Sequence, residues 1–248
     1  MTLPNEPSLQ KLQFYVTTPY PCGYLPNQLA QSLIASPQSL VNAQVYSGLI
    51  QQGFRRSGKF AYRPHCEHCH ACTPVRLVLA RFSPSRSQQR AFKQHQELSV
   101  RILPLDFHDA HFNLYAQYQQ LRHRDDTAGI AIESNEAEQY RQFLCLSNVE
   151  SLMIEFADAQ GQIKIVSVID VVQDGVSAVY TFYDATDAKN SYGTYAIVWL
   201  AEWIKTLQLP YLYLGYWIAQ SQKMAYKQRF KPQEQLIDGE WIENNHIA

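Results

Sequence analysis

No run of this sequence is apolar for long enough to cross a membrane; the longest, such as YAIVWLAEWI at 195–204, is broken by charge and falls far short of a span. The opening MTLPNEPSLQ lacks the basic start and apolar stretch of a secretory leader. Five cysteines, an odd number with three of them clustered, do not make the disulfide framework of a secreted protein and fit a reducing compartment. Together these absences predict a cytoplasmic protein with no membrane partner. Repeats and low-complexity linkers are missing too, and a net charge of −1 removes bulk electrostatics as a way to hold a polyanion. What remains is a globular chain of 248 residues, 46% of them apolar, enough for an ordinary core in one large domain or two small ones.

The charge is unevenly placed. Residues 53–93 carry nine basic side chains (Arg55, Arg56, Lys59, Arg63, Arg76, Arg81, Arg86, Arg90 and Lys93) against the single acid Glu67. A second block, Lys223, Lys227, Arg229 and Lys231, has no acid between Ala219 and Gln233. One such run is usually a solvated face. Two runs with interleaved aromatics, GFRRSGKFAYRP and KMAYKQRFKP, point to a phosphate-bearing partner.

Inside the first block lies YRPHCEHCHACTPVR, with Cys66, Cys69 and Cys72 in a CxxCxxC spacing. Three thiolates at that spacing can face one ion, and Cys22 of PCGY supplies a fourth if the fold brings it alongside; four sulfurs suit zinc or an iron–sulfur cluster. The other reading is a loop of reduced, metal-free thiols. His65, His68 and His70 read as solvent-exposed, and Cys145 as a small core residue.

Periodicity predicts a helix from Pro37 to Gly53 with Ser36 as its N-cap, a strand at VRLVLARF, a short basic helix at SRSQQRAFKQHQ and a strand at LSVRILPL. Helices at 107–124 and 133–146 follow. Three strands then form an antiparallel meander, SLMIEFAD, IKIVSVIDVV and VSAVYTFYD, before a helix at 192–207 and a strand at YLYLG. The class is α+β: a small cysteine-containing N-terminal module over residues 1–72, then a mixed sheet flanked by helices over 73–248.

Seven blocks in order, PCGYLPNQLA, GFRRSGKFAYRPHCEHCHACTPVR, SRSQQR, SAVYTFYD, SYGTYAI, YLYLGYWI and KMAYKQRFKP, together resemble the bacterial aspartate/glutamate leucyltransferases, relatives of the eukaryotic arginyl-tRNA:protein transferases. The eukaryotic CGYC reads CGYL here, with Leu25 in the last place. The resemblance implies a GNAT-type acyltransferase sheet in the C-terminal part. It also implies transfer of leucine from Leu-tRNA to the N-terminal amine of proteins that begin with Asp or Glu, marking them for N-end rule degradation. The expected partners are then a tRNA and those proteins, not DNA, and the transfer itself needs no cofactor.

Against that reaction, Arg55, Arg56 and Arg76 are candidates to pair with the acceptor's carboxylate through a planar fork, each competing with a role in phosphate contact or a surface ion pair. Asp184 is a candidate proton acceptor or amine-orienting group, or alternatively a loop cap, with Tyr180 and Tyr183 beside it at the strand end. The loop running into SYGTYAI exposes backbone N–H groups but has only Gly193 in place of a glycine-rich phosphate turn, so tRNA is expected there instead of coenzyme A. Tyr216 and Trp217 are candidates to stack on the CCA end, with Lys223, Lys227 and Arg229 along its backbone. An arginyl donor calls for a buried carboxylate, and these motifs offer none. Two other classes remain open at this point: a coenzyme A-dependent N-acetyltransferase and a non-catalytic zinc-containing RNA-binding module.

Overall fold

The computed structural model describes residues 11–122 and 136–243. In chain order its elements are β1 (Gln13–Val16), β2 (Tyr20–Pro21), β3 (Leu29–Ala30), β4 (Ser32–Ser36), α1 (Ala43–Gln51), β5 (Arg55–Ser57), β6 (Phe60–Pro64), β7 (Thr73–Val78), α2 (Arg86–Gln94), β8 (Ser99–Pro104), α3 (Asp109–Arg122), α4 (Glu136–Tyr140), β9 (Ser151–Ala157), β10 (Ile163–Val172), β11 (Gly175–Tyr183), α5 (Tyr192–Thr206), β12 (Tyr211–Trp217), α6 (Gln222–Ala225), β13 (Gln233–Ile237) and β14 (Glu240–Glu243).

The first predicted helix starts later than expected. Ser36 ends β4, a single short turn spans Gln38–Leu40, and α1 begins at Ala43 with the Asn42 side chain accepting from the Val45 amide. Asn is as good an N-cap as Ser, so the competing signal six residues on won. Gly53 does end it: its φ of +82° is left-handed, and a Cβ there would lie 2.9 Å from the Pro74 ring. The basic helix α2 opens with a full capping box between Ser85 and Gln88. The helix expected over 133–146 appears as α4 followed by a wider turn at Arg141–Cys145; residues 133–135, like 123 and 124 of the preceding helix, lie outside the described residues.

Four strands make a small sheet in the order β1-β4-β6-β5, and eight make the main one, β14-β13-β7-β12-β11-β10-β9-β8. In the main sheet β8 to β11 run antiparallel and β12 then lies parallel to β11, reached through α5. The antiparallel meander, helical crossover and parallel strand make the mixed sheet flanked by helices that the sequence predicts. Both faces are covered. On one, α5 buries Tyr195, Ala196, Val198, Leu200 and Ile204 against Leu77, Ile154, Phe156, Ile165 and Leu212. On the other, Leu114 of α3, Tyr140 and Leu144 meet Met153, Val166, Val168 and Phe182. Burial on both sides is why β10, IKIVSVIDVV, is apolar almost throughout and does not alternate. The N-terminal residues share a core with the large sheet: Tyr46, Leu49, Ile50 and Phe54 pack with Val172 and Tyr213.

A buried polar group ties α3 to the sheet. His111 lies 2.7 Å from Glu155 through Nε2, and Arg101 meets the same carboxylate from β8. Burial holds the His111 pKa below its usual value despite Glu155, so it is a neutral donor. Burial alone would raise Glu155, but the bonds from His111 and Arg101 outweigh it and lower its pKa. Both groups bind protons less readily folded than unfolded: the stability His111 contributes is present above about pH 6.5 and is lost as pH falls below it, and that of Glu155 is present above about pH 4.5 and is lost below that. Urea midpoints measured from pH 8 to pH 4 are expected to drop through this range, and His111→Gln is expected to remove the part of the drop between about pH 6.5 and 5.

Candidate functional site

The parallel strands β11 and β12 are bonded only at Gly175–Ser177 against Tyr211–Tyr213. Beyond that they part. A register shift between Tyr213 and Gly215 turns the end of β12 toward β7, and Gly215 takes a φ of +78°. The carbonyls of Ala178 and Val179 on β11 then face an opening in place of a neighbouring strand. The guanidinium of Arg55, carried by β5 of the small sheet, enters that opening. It donates to Ser177 Oγ at 2.8 Å and to the carbonyl of Ala178, and lies 3.5 Å from that of Val179. A Cβ on Gly215 would sit 3.0 Å from the Arg55 Cζ, so the close approach needs glycine twice over, for its φ and for its missing side chain.

Lys227 reaches the same place from the other side. Its Nζ donates to the Tyr216 carbonyl at 2.7 Å and is buried. Burial first, then the Arg55 charge beside it, bring its pKa down to about 7. This departs from the expected contact with a tRNA backbone, which needs an exposed ammonium. Tyr216 is corrected for the same reason: its ring is buried and its hydroxyl donates to the Gly53 carbonyl at 2.8 Å, so it cannot stack on a base. Trp217 packs partly buried against the main core, and its buried indole N–H has no hydrogen-bond partner among the described residues.

Of the three candidate arginines, two are committed inside the protein. Arg56 Nε donates to both carboxylate oxygens of Asp170, at 2.8 and 2.9 Å, with both side chains out of water. Arg76 pairs with Glu234 at 2.8 Å and is sandwiched between Tyr211 and Trp241. Neither has a charge left for a substrate. Arg55 is the buried arginine without a carboxylate among the described residues.

Asp184 caps its loop. It accepts from the Thr186 hydroxyl at 2.6 Å and amide at 3.2 Å, and from Lys164 at 3.3 Å. Burial would raise its pKa, but these bonds lower it, which makes it a poorer proton acceptor. Tyr180 lies on the widening part of β11 among Tyr115, Phe143 and Phe182, and burial pushes its hydroxyl far above the usual range, so it keeps its proton and is available as a donor. Tyr183 packs edge-on to Tyr118 and Tyr192, and its ring would meet a Cβ on Gly193 at 3.3 Å. Ser191 stands at the start of α5 in a left-handed conformation without a side-chain cap bond.

On the surface beyond Lys227, Gln222, Ala225, Tyr226, Gln228, Arg229 and Lys231 line a concavity of about 630 Å³. Arg229 and Lys231 are exposed there, Tyr226 presents an exposed ring, and Lys223 is exposed next to Gln222 at its edge. The sequence reading missed Tyr226 because it chose the neighbouring aromatics of β12. It missed Gly215 and Ser177 as well, although a glycine interrupting YLYLGYW is a signal for a bulge or a close backbone approach.

The cysteine loop precedes β7 and lines a cavity of about 590 Å³ with Val16, Gln31 and Pro64. Cys22, Cys66 and Cys69 all act on Cys72, so the four thiols gather in one neighbourhood. Their chemistry suits a soft metal, but among the described residues no three His, Cys, Asp or Glu side chains are arranged to hold an ion. The residues as placed do not fit the expected metal set. Burial, with the neighbouring thiols, pushes the Cys72 thiol up to about 12. Cys72 is therefore expected to resist iodoacetamide at pH 8 in the native protein and to label only on unfolding; mass spectrometry of the digested protein measures this.

The Arginine-tRNA-protein transferase, C terminus, family matches residues 110–237, and its N-terminus counterpart matches residues 20–90. An aspartate/glutamate leucyltransferase of Methylobacillus flagellatus is 63% identical over 97% of this chain and 95% of its own. Those of Thiobacillus denitrificans and Polynucleobacter asymbioticus are 49% and 46% identical, over 96% and 97% of this chain and 97% and 98% of theirs. Among solved structures, L-PGS from Bacillus licheniformis gives a TM-score of 0.44 at 13% identity, over 60% of this chain and 47% of that one, a likeness too low to bear on fold or function. With relatives this similar over nearly its whole length, the chain belongs to the aspartate/glutamate leucyltransferase family.

Proposed function

We propose that this protein transfers leucine from Leu-tRNA to the N-terminal amine of proteins that begin with Asp or Glu, and that the opening between β11 and β12 is where amine and ester meet. The observation that carries this reading is the parted parallel pair, which exposes main chain and buried polar groups at one point within an otherwise closed sheet.

The chemistry asks little of a catalyst beyond position. The donor is an activated ester, and an α-amine with a pKa near 7.7–8.0 is roughly a third neutral at pH 7.5. The neutral nitrogen attacks the ester carbonyl and gives up one proton, the departing ribose oxygen gains one, directly or through water, and an amide remains. Alignment of the two reactants supplies most of the acceleration, with hydrogen-bond donors for the oxyanion adding to it. Tyr180, held protonated by burial, has the chemistry of such a donor. The low pKa of Asp184 fits it better for shaping the loop that leads into α5 than for taking the proton.

The exposed shelf of Tyr226, Lys223, Arg229 and Lys231 suits the unpaired CCA end, with a ring for a base and cations for its phosphates. The uncapped start of α5 beside Gly193 offers backbone N–H groups to a further phosphate. For the amino acid carried, an arginyl group calls for a vacant buried acid. The buried acids among the described residues, Glu155 and Asp170, are each taken by His111 with Arg101 and by Arg56. That favours leucine.

The test is incubation of the purified protein with Leu-tRNA or Arg-tRNA, each labelled in its amino acid, and with peptides beginning with Asp, Glu or Ala. Leucine is expected on the Asp and Glu peptides and not on Ala; label from Arg-tRNA overturns the donor assignment, and no label from either overturns the reading. Gly215→Ala forces a Cβ into Arg55 from a left-handed backbone, a strain of about 1–3 kcal/mol, and is expected to lower transfer at least about tenfold while the fold persists by circular dichroism.

A further inference from the structure

The buried cations of this protein divide into two kinds. Arg56 and Arg76 each have a carboxylate at 2.8 Å. Arg55 and Lys227, 9% and 7% exposed, have none among the described residues, and they meet the same bend of β12, Arg55 against Gly215 and Lys227 on the carbonyl of the next residue, Tyr216. Two like charges taken from water and placed together, each holding only main-chain carbonyls or a serine hydroxyl, are an arrangement a protein avoids unless an anion arrives to complete it. Arginine cannot give up its proton, so in the empty site it is the lysine that yields.

We propose that Arg55 and Lys227 together hold the side-chain carboxylate of the acceptor's first residue. The proposal rests on the leucyl-transfer reading only for the name of the acceptor. The geometry favours a carboxylate over a phosphate of the tRNA. Both cations are more than nine-tenths buried beside the parting strands, where a phosphodiester, flanked by ribose on both sides, is harder to bring than the end of one side chain. The nucleic acid has its own exposed cations at Lys223, Arg229 and Lys231. A carboxylate set between guanidinium and ammonium would also place the α-amine, three bonds from the carboxylate carbon in Asp and four in Glu, beside the open carbonyl end of β11. Selection of Asp or Glu and alignment of the nucleophile then become one interaction.

The experiment measures kcat/KM for leucine transfer to tetrapeptides that begin with Asp or Asn, and their binding to the tRNA-free protein by calorimetry, for the wild type, Lys227→Met and Lys227→Arg. Asp is expected over Asn by on the order of 100-fold in the wild type, because Asn leaves two buried cations unanswered. Lys227→Met is expected to narrow that ratio about tenfold through KM, with the Kd for Leu-tRNA unchanged, and Lys227→Arg to restore part of it. An unaltered Asp/Asn ratio in Lys227→Met overturns the proposal, as does a matched loss of Leu-tRNA binding, which would assign the pair to a phosphate. If Lys227→Met does not fold, equal binding of Asp and Asn peptides by the wild type overturns it. Calorimetry contains no tRNA, so selective peptide binding without leucine transfer would sink the donor assignment and leave this one standing.

Discussion

The guanidinium of Arg55 in the gap between β11 and β12 is the contact on which the rest of the arrangement depends. Two parallel strands that part inside a sheet leave carbonyls with no partner, and a buried carbonyl without a donor costs about 1–3 kcal/mol. Arg55 supplies the donors from a strand of a different sheet, so the small N-terminal sheet and the main sheet are joined at the place where the substrates would meet. Gly215 makes the approach possible by having no side chain, and Ser177 anchors the far end of the fork.

Burial then sorts the other charges by whether they have an internal partner. Arg56 with Asp170, Arg76 with Glu234, and Glu155 with His111 and Arg101 are closed sets that hold sheets and helices in register. Arg55 and Lys227 are an open set, and Lys223, Arg229 and Lys231 stay at the surface. The same residue types thus fall into three groups: buried and paired with a carboxylate, buried without one, and exposed. What separates them is how far each side chain sits from water and whether a carboxylate is within reach.

The cysteine loop lies next to this centre. Cys72 directly precedes β7, whose Thr73 pairs with Trp217 at the end of β12, and the charge of Lys227 acts on its thiol. A buried, crowded thiol holds its proton, and the thiols as placed do not form a metal set among the described residues.

Much was legible in the sequence. Alternation and turn residues gave the meander, α2 with its capping signal, α5 and β12 close to their observed bounds, because these depend on neighbours along the chain. The family followed from seven motifs in order, and the charge blocks marked the two stretches that hold the candidate site. The start of α1 was misplaced because two adequate caps stood six residues apart. The roles of individual cations could not be read at all: Arg55 and Arg56 are adjacent, yet one finds Asp170 on β10 and the other the gap beside Gly215, residues more than a hundred positions away. Local pattern fixes which elements form and which faces are apolar. Whether a charge is buried, and what stands opposite it, depends on the packing of distant strands, and only the tertiary structure decides that.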